Sequence, residues 1–262
     1  MIREWLEERA KSRIRRRLLD GRFAPSDELV MGETGAEIPV LMCLWNRPER
    51  LRAMLESLDA QTGTPGIAVY LWNNNKVDHT YYRFVIREFE ARGAVTSIRL
   101  VRTPYNLGSI ARFYWARMLA ATKGPGPIVV VDDDEDIRPD FVSTALSLYE
   151  PKTVHAWWAF TVNPATGDYF DRTPAGVGDR VDHVGPGGMI CSSEIFLDDR
   201  FFTELPQRYW LLDDVWFTFF VTRAGYRLAK LPVEVEFVLA ETNQHHNLGD
   251  LKREFYRSLR AL

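Results

Sequence analysis

Two cysteines in 262 residues, Cys43 and Cys191, are too few for a disulfide framework or a thiolate zinc site, and Cys43 sits inside an apolar run. Together they fit a reducing compartment. An excess of one charge is also missing. Thirty-three Lys and Arg against 36 Asp and Glu leave a formal net charge of -3, with no polyanion-binding signature over the whole chain, so no nucleic-acid partner is expected. No apolar run reaches the roughly 20 residues of a membrane span, and residues 1–23 are too charged for a secretory signal. A cytoplasmic protein is expected. Neither a Walker A loop nor a Gly-x-Gly-x-x-Gly fingerprint follows any strand-like run, which excludes those two modes of nucleotide binding. There is no repeat longer than a βα unit and no low-complexity segment.

What is present begins with a helical pattern over residues 1–23, carrying Ile2, Leu6, Ala10, Ile14 and Leu18 on a slowly drifting stripe with Arg13, Arg15, Arg16 and Arg17 around it. Such a basic amphipathic helix packs on its own domain, on a twin subunit as a homodimer, or on a peripheral membrane surface. Residues 24–37 read as a linker. The run 38–44 then reads as a buried strand, followed by a turn in which Asn46 is expected to cap a helix with Glu49 reaching back. Strand-like runs at 67–72 and 97–101 and helical patterns at 80–92 and from Asn106 repeat the unit. Alternating strands and helices imply an α/β, doubly wound, mostly parallel sheet. Right-handed crossovers bring Trp45, Asn73 to Asn75, Asn106 and Asp132 to Asp134 to one sheet edge.

The sequence turns on the stretch from Pro127 to Asp136, a β-branched run ending in Asp132-Asp133-Asp134-Glu135-Asp136. Carboxylates crowded at a buried strand end repel one another, so the arrangement calls for a cation. The plainer alternative is a solvated acidic turn, but the carboxyl edge of such a sheet is where open α/β folds bind ligands. Beyond Pro151 come an aromatic-rich strand over 153–161, a glycine turn at Gly185-Pro186-Gly187-Gly188, a helix opening at Asp213-Asp214, and a short strand over 226–231.

Taken in order, Leu44-Trp45-Asn46-Arg47-Pro48-Glu49-Arg50, Asn73-Asn74-Asn75, Asn106-Leu107-Gly108, Asp132-Asp133-Asp134, Gly187-Gly188-Met189 and Leu212-Asp213-Asp214-Val215-Trp216 resemble the GT-A fold glycosyltransferases, in particular the family 2 type. The resemblance spans residues 38–231. It implies an N-terminal helix and linker over 1–37 and a catalytic domain over 38–240, with a nucleotide-binding half at 38–136 and an acceptor-side half at 137–240. A C-terminal loop and helix would follow over 241–262. The implied activity is transfer of a sugar from a UDP or GDP sugar to a carbohydrate or other hydroxyl acceptor, with Mn²⁺ or Mg²⁺ and with inversion. Some GT-A enzymes with a similar triplet retain configuration, and a catalytically silent subunit of the same fold is the other alternative.

By the same resemblance Trp45, Asn46, Arg47, Asn73 and Asn74 belong to the nucleoside end of the site. Asn106, Gly108 and Arg112 go to ribose or diphosphate, a helix start being equally well explained as a cap. Asp132 and Asp133 contact the nucleotide sugar, and Asp134 with Asp132 holds the metal. His245 or His246 completes the metal shell, or forms only a surface pair. Asp214, with Asp213 beside it, is implied as the base, although both acids also suit a helix N-terminus. Gly187 and Gly188 let backbone approach a sugar, and Trp158 and Trp216 line the acceptor side, with Trp157, Tyr169 and Trp210 as further flat faces.

Overall fold

The computed structural model describes residues 2–24, 27–30, 37–238 and 248–261. Helix α1 (Ile2–Leu19) leads into β1 (Asp27–Val30). The expected units follow as β2 (Ile38–Leu44), α2 (Arg50–Asp59), β3 (Ile67–Asn73), α3 (His79–Arg87), β4 (Val95–Arg102), α4 (Phe113–Lys123) and β5 (Pro127–Val130). β3 is buried at every position, as a strand covered on both faces must be. β2, β3, β4 and β5 pair in parallel. Their carboxyl ends, at Leu44, Asn73, Arg102 and Val130, therefore lie along one edge.

Past the acidic turn come β6 (Glu135–Ile137), α5 (Phe141–Ser147), β7 (Thr153–Ala156), β8 (Ala159–Val162), β9 (Arg172–Pro174), β10 (His183–Val184) and β11 (Met189–Ser192). Then follow α6 (Arg200–Thr203), α7 (Asp213–Arg223), β12 (Arg227–Lys230), β13 (Val235–Phe237) and α8 (Gly249–Arg260). The main sheet runs β1-β4-β3-β2-β5-β11-β7-β12. β11 enters antiparallel between β5 and β7, and β12 closes the far edge parallel to β7. A small sheet, β10-β8-β9, and a two-stranded ribbon, β13-β6, stand beside it. One apolar core fills the face under α2, α3 and α5, with Leu51, Tyr82 and Phe141; the other joins α4 and α7 through Phe113, Trp115 and Phe217.

Several expectations change. Four residues of the supposed linker form β1, which pairs antiparallel with β4, and the third helix begins at Phe113 after a 3₁₀ turn over Ser109–Arg112. The aromatic strand splits at Trp157 and Trp158, so that β7 stays in the main sheet and β8 joins the small one. The α1 stripe does not stay on one face, because positions four apart drift around the helix. Ile14 and Leu18 reach the core while Leu6 is exposed. Asn46 does not cap α2, which starts at Arg50 without a side-chain cap. Instead Asn46 takes φ 60°, a left-handed turn that short polar side chains tolerate.

Candidate functional site at the carboxyl edge

Where the parallel strands end there is a cleft of about 300 Å³. Trp45, Arg47, Asn74, Asn106 and Gly108 line it together with Asp132, Asp133 and Asp134. Residues 45, 74 and 132 reach it because each follows an adjacent parallel strand, and 106–108 because the β4–α4 connection folds back over that edge.

Each acid has a separate environment. Asp133 is buried, accepts from the Trp45 N–H at 3.1 Å and pairs with the Arg47 guanidinium. Burial pushes its carboxyl up to about 7, against the pull of Arg47. Asp134 Oδ2 lies 3.2 Å from the other Arg47 nitrogen, and its carbonyl accepts from the Val238 N–H, tying the acidic turn to the end of β13. Asp132 is the most open of the three, with 35% of its side chain accessible, and it pairs with Arg112. Its backbone N–H donates to Glu135 Oε2 at 2.8 Å, and burial raises the Glu135 carboxyl well above the usual range.

Arg112 is fully buried and does not reach the cleft wall. Its guanidinium bridges Asp132 to Asp213 Oδ2, the latter at 3.2 Å, so its charge is committed within the protein rather than offered to a phosphate. This joins the acidic turn to the first turn of α7. Asp213 is buried, and burial raises its carboxyl against the pull of Arg112. Asp214, one residue on, points elsewhere. It accepts from Tyr169 Oη at 2.9 Å and from Lys252 Nζ at 2.6 Å, and despite burial these partners, with nearby His183, hold it well below the usual carboxylate range. Asp214 does not itself line the cleft, but Lys252 does.

Asn74 serves the wall more than the opening. Its Nδ2 donates to the Gly108 carbonyl at 3.0 Å and its Oδ1 accepts from Leu107 N–H at 3.2 Å, which fastens the 106–108 loop. Gly108 has φ +82°, and a Cβ there would run into the Trp210 carbonyl. Asn73 is buried away from the cleft, accepting from the Asn75 N–H and touching His79. At Gly187 a Cβ would come within 2.6 Å of Asp132 Oδ2 and closer still to Glu135 Oε1, so only glycine lets that turn pass the acids. Gly188 is pressed in the same way by the Trp157 indole. Trp158 is half-buried beside Phe160 and Phe237, whereas Trp216 lies in the core, donating to the Phe201 carbonyl at 2.7 Å. His245 and His246 lie outside the described residues.

Among the described residues no three His, Cys, Asp or Glu side chains gather as a metal site. The donor set nevertheless suits a hard cation at a phosphate. Mg²⁺ and Mn²⁺ in such sites take one or two carboxylates and complete their shell from phosphate oxygens and water. Asp132 and Asp134 both line the cleft, and its three carboxylates outnumber its two cationic side chains, Arg47 and Lys252.

Sequence reasoning missed Lys252, which sits on the amphipathic α8 far along the chain from every motif, and Glu135 as the acid that fixes the turn. Only the acidic run itself signalled Glu135. No protein-family profile matches the chain, and none of the curated proteins matches it. Among solved structures it is similar to a mannosyltransferase from Pyrobaculum calidifontis in complex with GDP-Man and Mn²⁺, with a TM-score of 0.49 and 14% identity over 96% of this chain and 67% of that one.

Proposed function

We propose that this chain is a glycosyltransferase of the GT-A type that moves a sugar from a UDP or GDP sugar to a carbohydrate or other hydroxyl acceptor, with inversion. The observation that carries the reading is the cleft itself, in which three carboxylates on one strand end meet Trp45, Asn106 and Lys252 at the carboxyl edge of a parallel sheet. In this reading Asp134 and Asp132 hold Mn²⁺ or Mg²⁺. The bound ion would neutralise charge gathering on the diphosphate as the glycosidic bond breaks.

The chain's own residues account for the rest. Trp45 offers a face to the base, and Asn106 offers an amide to the nucleoside or ribose. Lys252 meets the diphosphate from the opposite wall. Lys252 stands between Asp214 and the cleft, so once its ammonium turns to phosphate it would uncover the carboxylate at the rim; without its strongest attraction Asp214 becomes more basic and accepts the proton of the acceptor hydroxyl as that oxygen attacks the anomeric carbon. Gly187 lets its turn pass close against Asp132 and Glu135, which keeps the acidic turn in place for the donor.

A second reading, a silent nucleotide- or carbohydrate-binding subunit, draws on the pairing of every triplet acid with an arginine. Incubating the protein with UDP and GDP sugars and Mn²⁺, with and without simple glycoside acceptors, separates the two. Release of nucleoside diphosphate is the result expected of a transferase. Binding without any release supports the silent subunit.

A further inference from the structure

The outward face of α1 is not used by the site. Successive residues turn about 100° around a helix, which places Trp5, Leu6, Arg9, Arg13, Arg16 and Arg17 together on one side. All six are exposed, Trp5 at 55% and Leu6 at 54%. The guanidinium of Arg9 lies over the Trp5 ring, 4.5 Å from its centre. Glu7 and Glu8 sit off this face and pair with Lys11 at 2.9 and 3.2 Å, while Asp20, just past the helix end, falls on it beside Arg22 at 3.8 Å and offsets one of its charges. The inward side carries Ile14 and Leu18 into the core, and Arg15 donates to the Leu107 carbonyl at 2.7 Å, behind the cleft loop. Helix packing therefore leaves a surface with two large apolar side chains at its amino-terminal end and four arginines along it. The whole chain carries a net charge of -3, so this face is a local reversal of the protein's charge.

We infer that this face docks on an anionic lipid bilayer. Interfacial helices bind by burying Trp and Leu in the headgroup region while Arg meets lipid phosphate. A polybasic surface adds attraction for each charge near an anionic leaflet, screened by salt over about a nanometre. A neutral bilayer offers only the apolar part, and one Trp with one Leu is little area. An acidic lipid surface is the partner complementary to both features. The inference concerns where the protein sits and does not depend on what its cleft does.

The test is co-sedimentation of the full chain with vesicles of phosphatidylcholine alone and with about one third phosphatidylglycerol, at low and high salt. Binding is expected to the anionic vesicles only and to weaken at least tenfold between about 50 mM and 500 mM salt. Arg13→Glu/Arg16→Glu/Arg17→Glu is expected to abolish it, and Trp5→Ser/Leu6→Ser to lower it about tenfold. Because these side chains are exposed, both variants should keep the wild-type circular dichroism and melting temperature. Equal binding to neutral and anionic vesicles, or none to either, would overturn the inference. So would self-association in sedimentation velocity that the same substitutions remove, since the face would then belong to a second copy.

Discussion

Lys252 Nζ stands 2.6 Å from Asp214 Oδ2, so the C-terminal helix and the first turn of α7 meet at the rim of the cleft. Both side chains are largely shielded, with 27% and 16% accessible. Lys252→Ala should leave Asp214 without its main counter-charge and cost about 1–2 kcal/mol in chemical denaturation, between the values for surface and buried pairs. If Lys252 also meets the diphosphate, affinity for UDP or GDP with Mn²⁺ should drop about tenfold by calorimetry, with Lys252→Arg recovering part of it. Unchanged stability and affinity in Lys252→Ala would remove both roles.

Asp214 and Asp213 are neighbours with different surroundings, and that difference is testable. Asp214→Asn should keep the fold and donor binding, with a stability loss no larger than that of Lys252→Ala, while lowering transfer by about 10² to 10⁴ because the proton acceptor is lost. Asp213→Asn should affect stability more than turnover, since it takes one of two acids from buried Arg112. A larger turnover defect in Asp213→Asn would move the base one residue back.

His183 gives the acid limb of stability a specific origin. It is buried between Tyr169 and Thr218, and burial, against the pull of Asp214 and with Arg172 and Lys252 adding repulsion, holds it neutral down to about 3. The unfolded imidazole takes its proton near 6.5. Between those values the unfolded chain binds more protons, so stability falls as pH drops, by up to about 1.4 kcal/mol per unit, while above about 6.5 the group contributes no slope. His183→Gln should flatten the curve of unfolding free energy below pH 6. An unaltered curve would place the acid sensitivity elsewhere.

Gly187→Ala should act on the site more than its size suggests. The added methyl meets Asp132 Oδ2 and Glu135 Oε1, both fixed by partners, so the acidic turn has to shift. A loss of about 1–3 kcal/mol is expected from overpacking, with a large drop in metal-dependent nucleotide binding. Gly126→Ala, where a Cβ meets nothing within 4 Å, is the control and should be near neutral in both. Equal behaviour of the two variants would dissociate Gly187 from the site.

The legible parts of the sequence were those with a local pattern. β2, β3 and β5 are continuous apolar runs, and the acidic block after β5 advertised its own position. β1 was not legible because four residues at the sheet edge, Asp-Glu-Leu-Val, are too short a run to show a period. The break at Trp157 and Trp158 had no marker either, as no Gly or Pro interrupts the run. Arg112 read as a phosphate ligand because sequence shows a cation one turn into a helix but not the two carboxylates, 20 and 101 residues away, that claim it. Lys252 was hidden for the same reason.

The most direct test of the central claim is titration calorimetry of UDP and GDP into the wild type and Asp134→Ala, each with Mn²⁺ and with EDTA. One nucleotide is expected to bind the wild type at least tenfold more tightly with Mn²⁺. Asp134→Ala, still folded, is expected to lose that dependence, with turnover down about a thousandfold if the lost metal ligand is worth roughly 4 kcal/mol. Binding that ignores Mn²⁺, or metal dependence that survives intact in Asp134→Ala, would contradict the central claim.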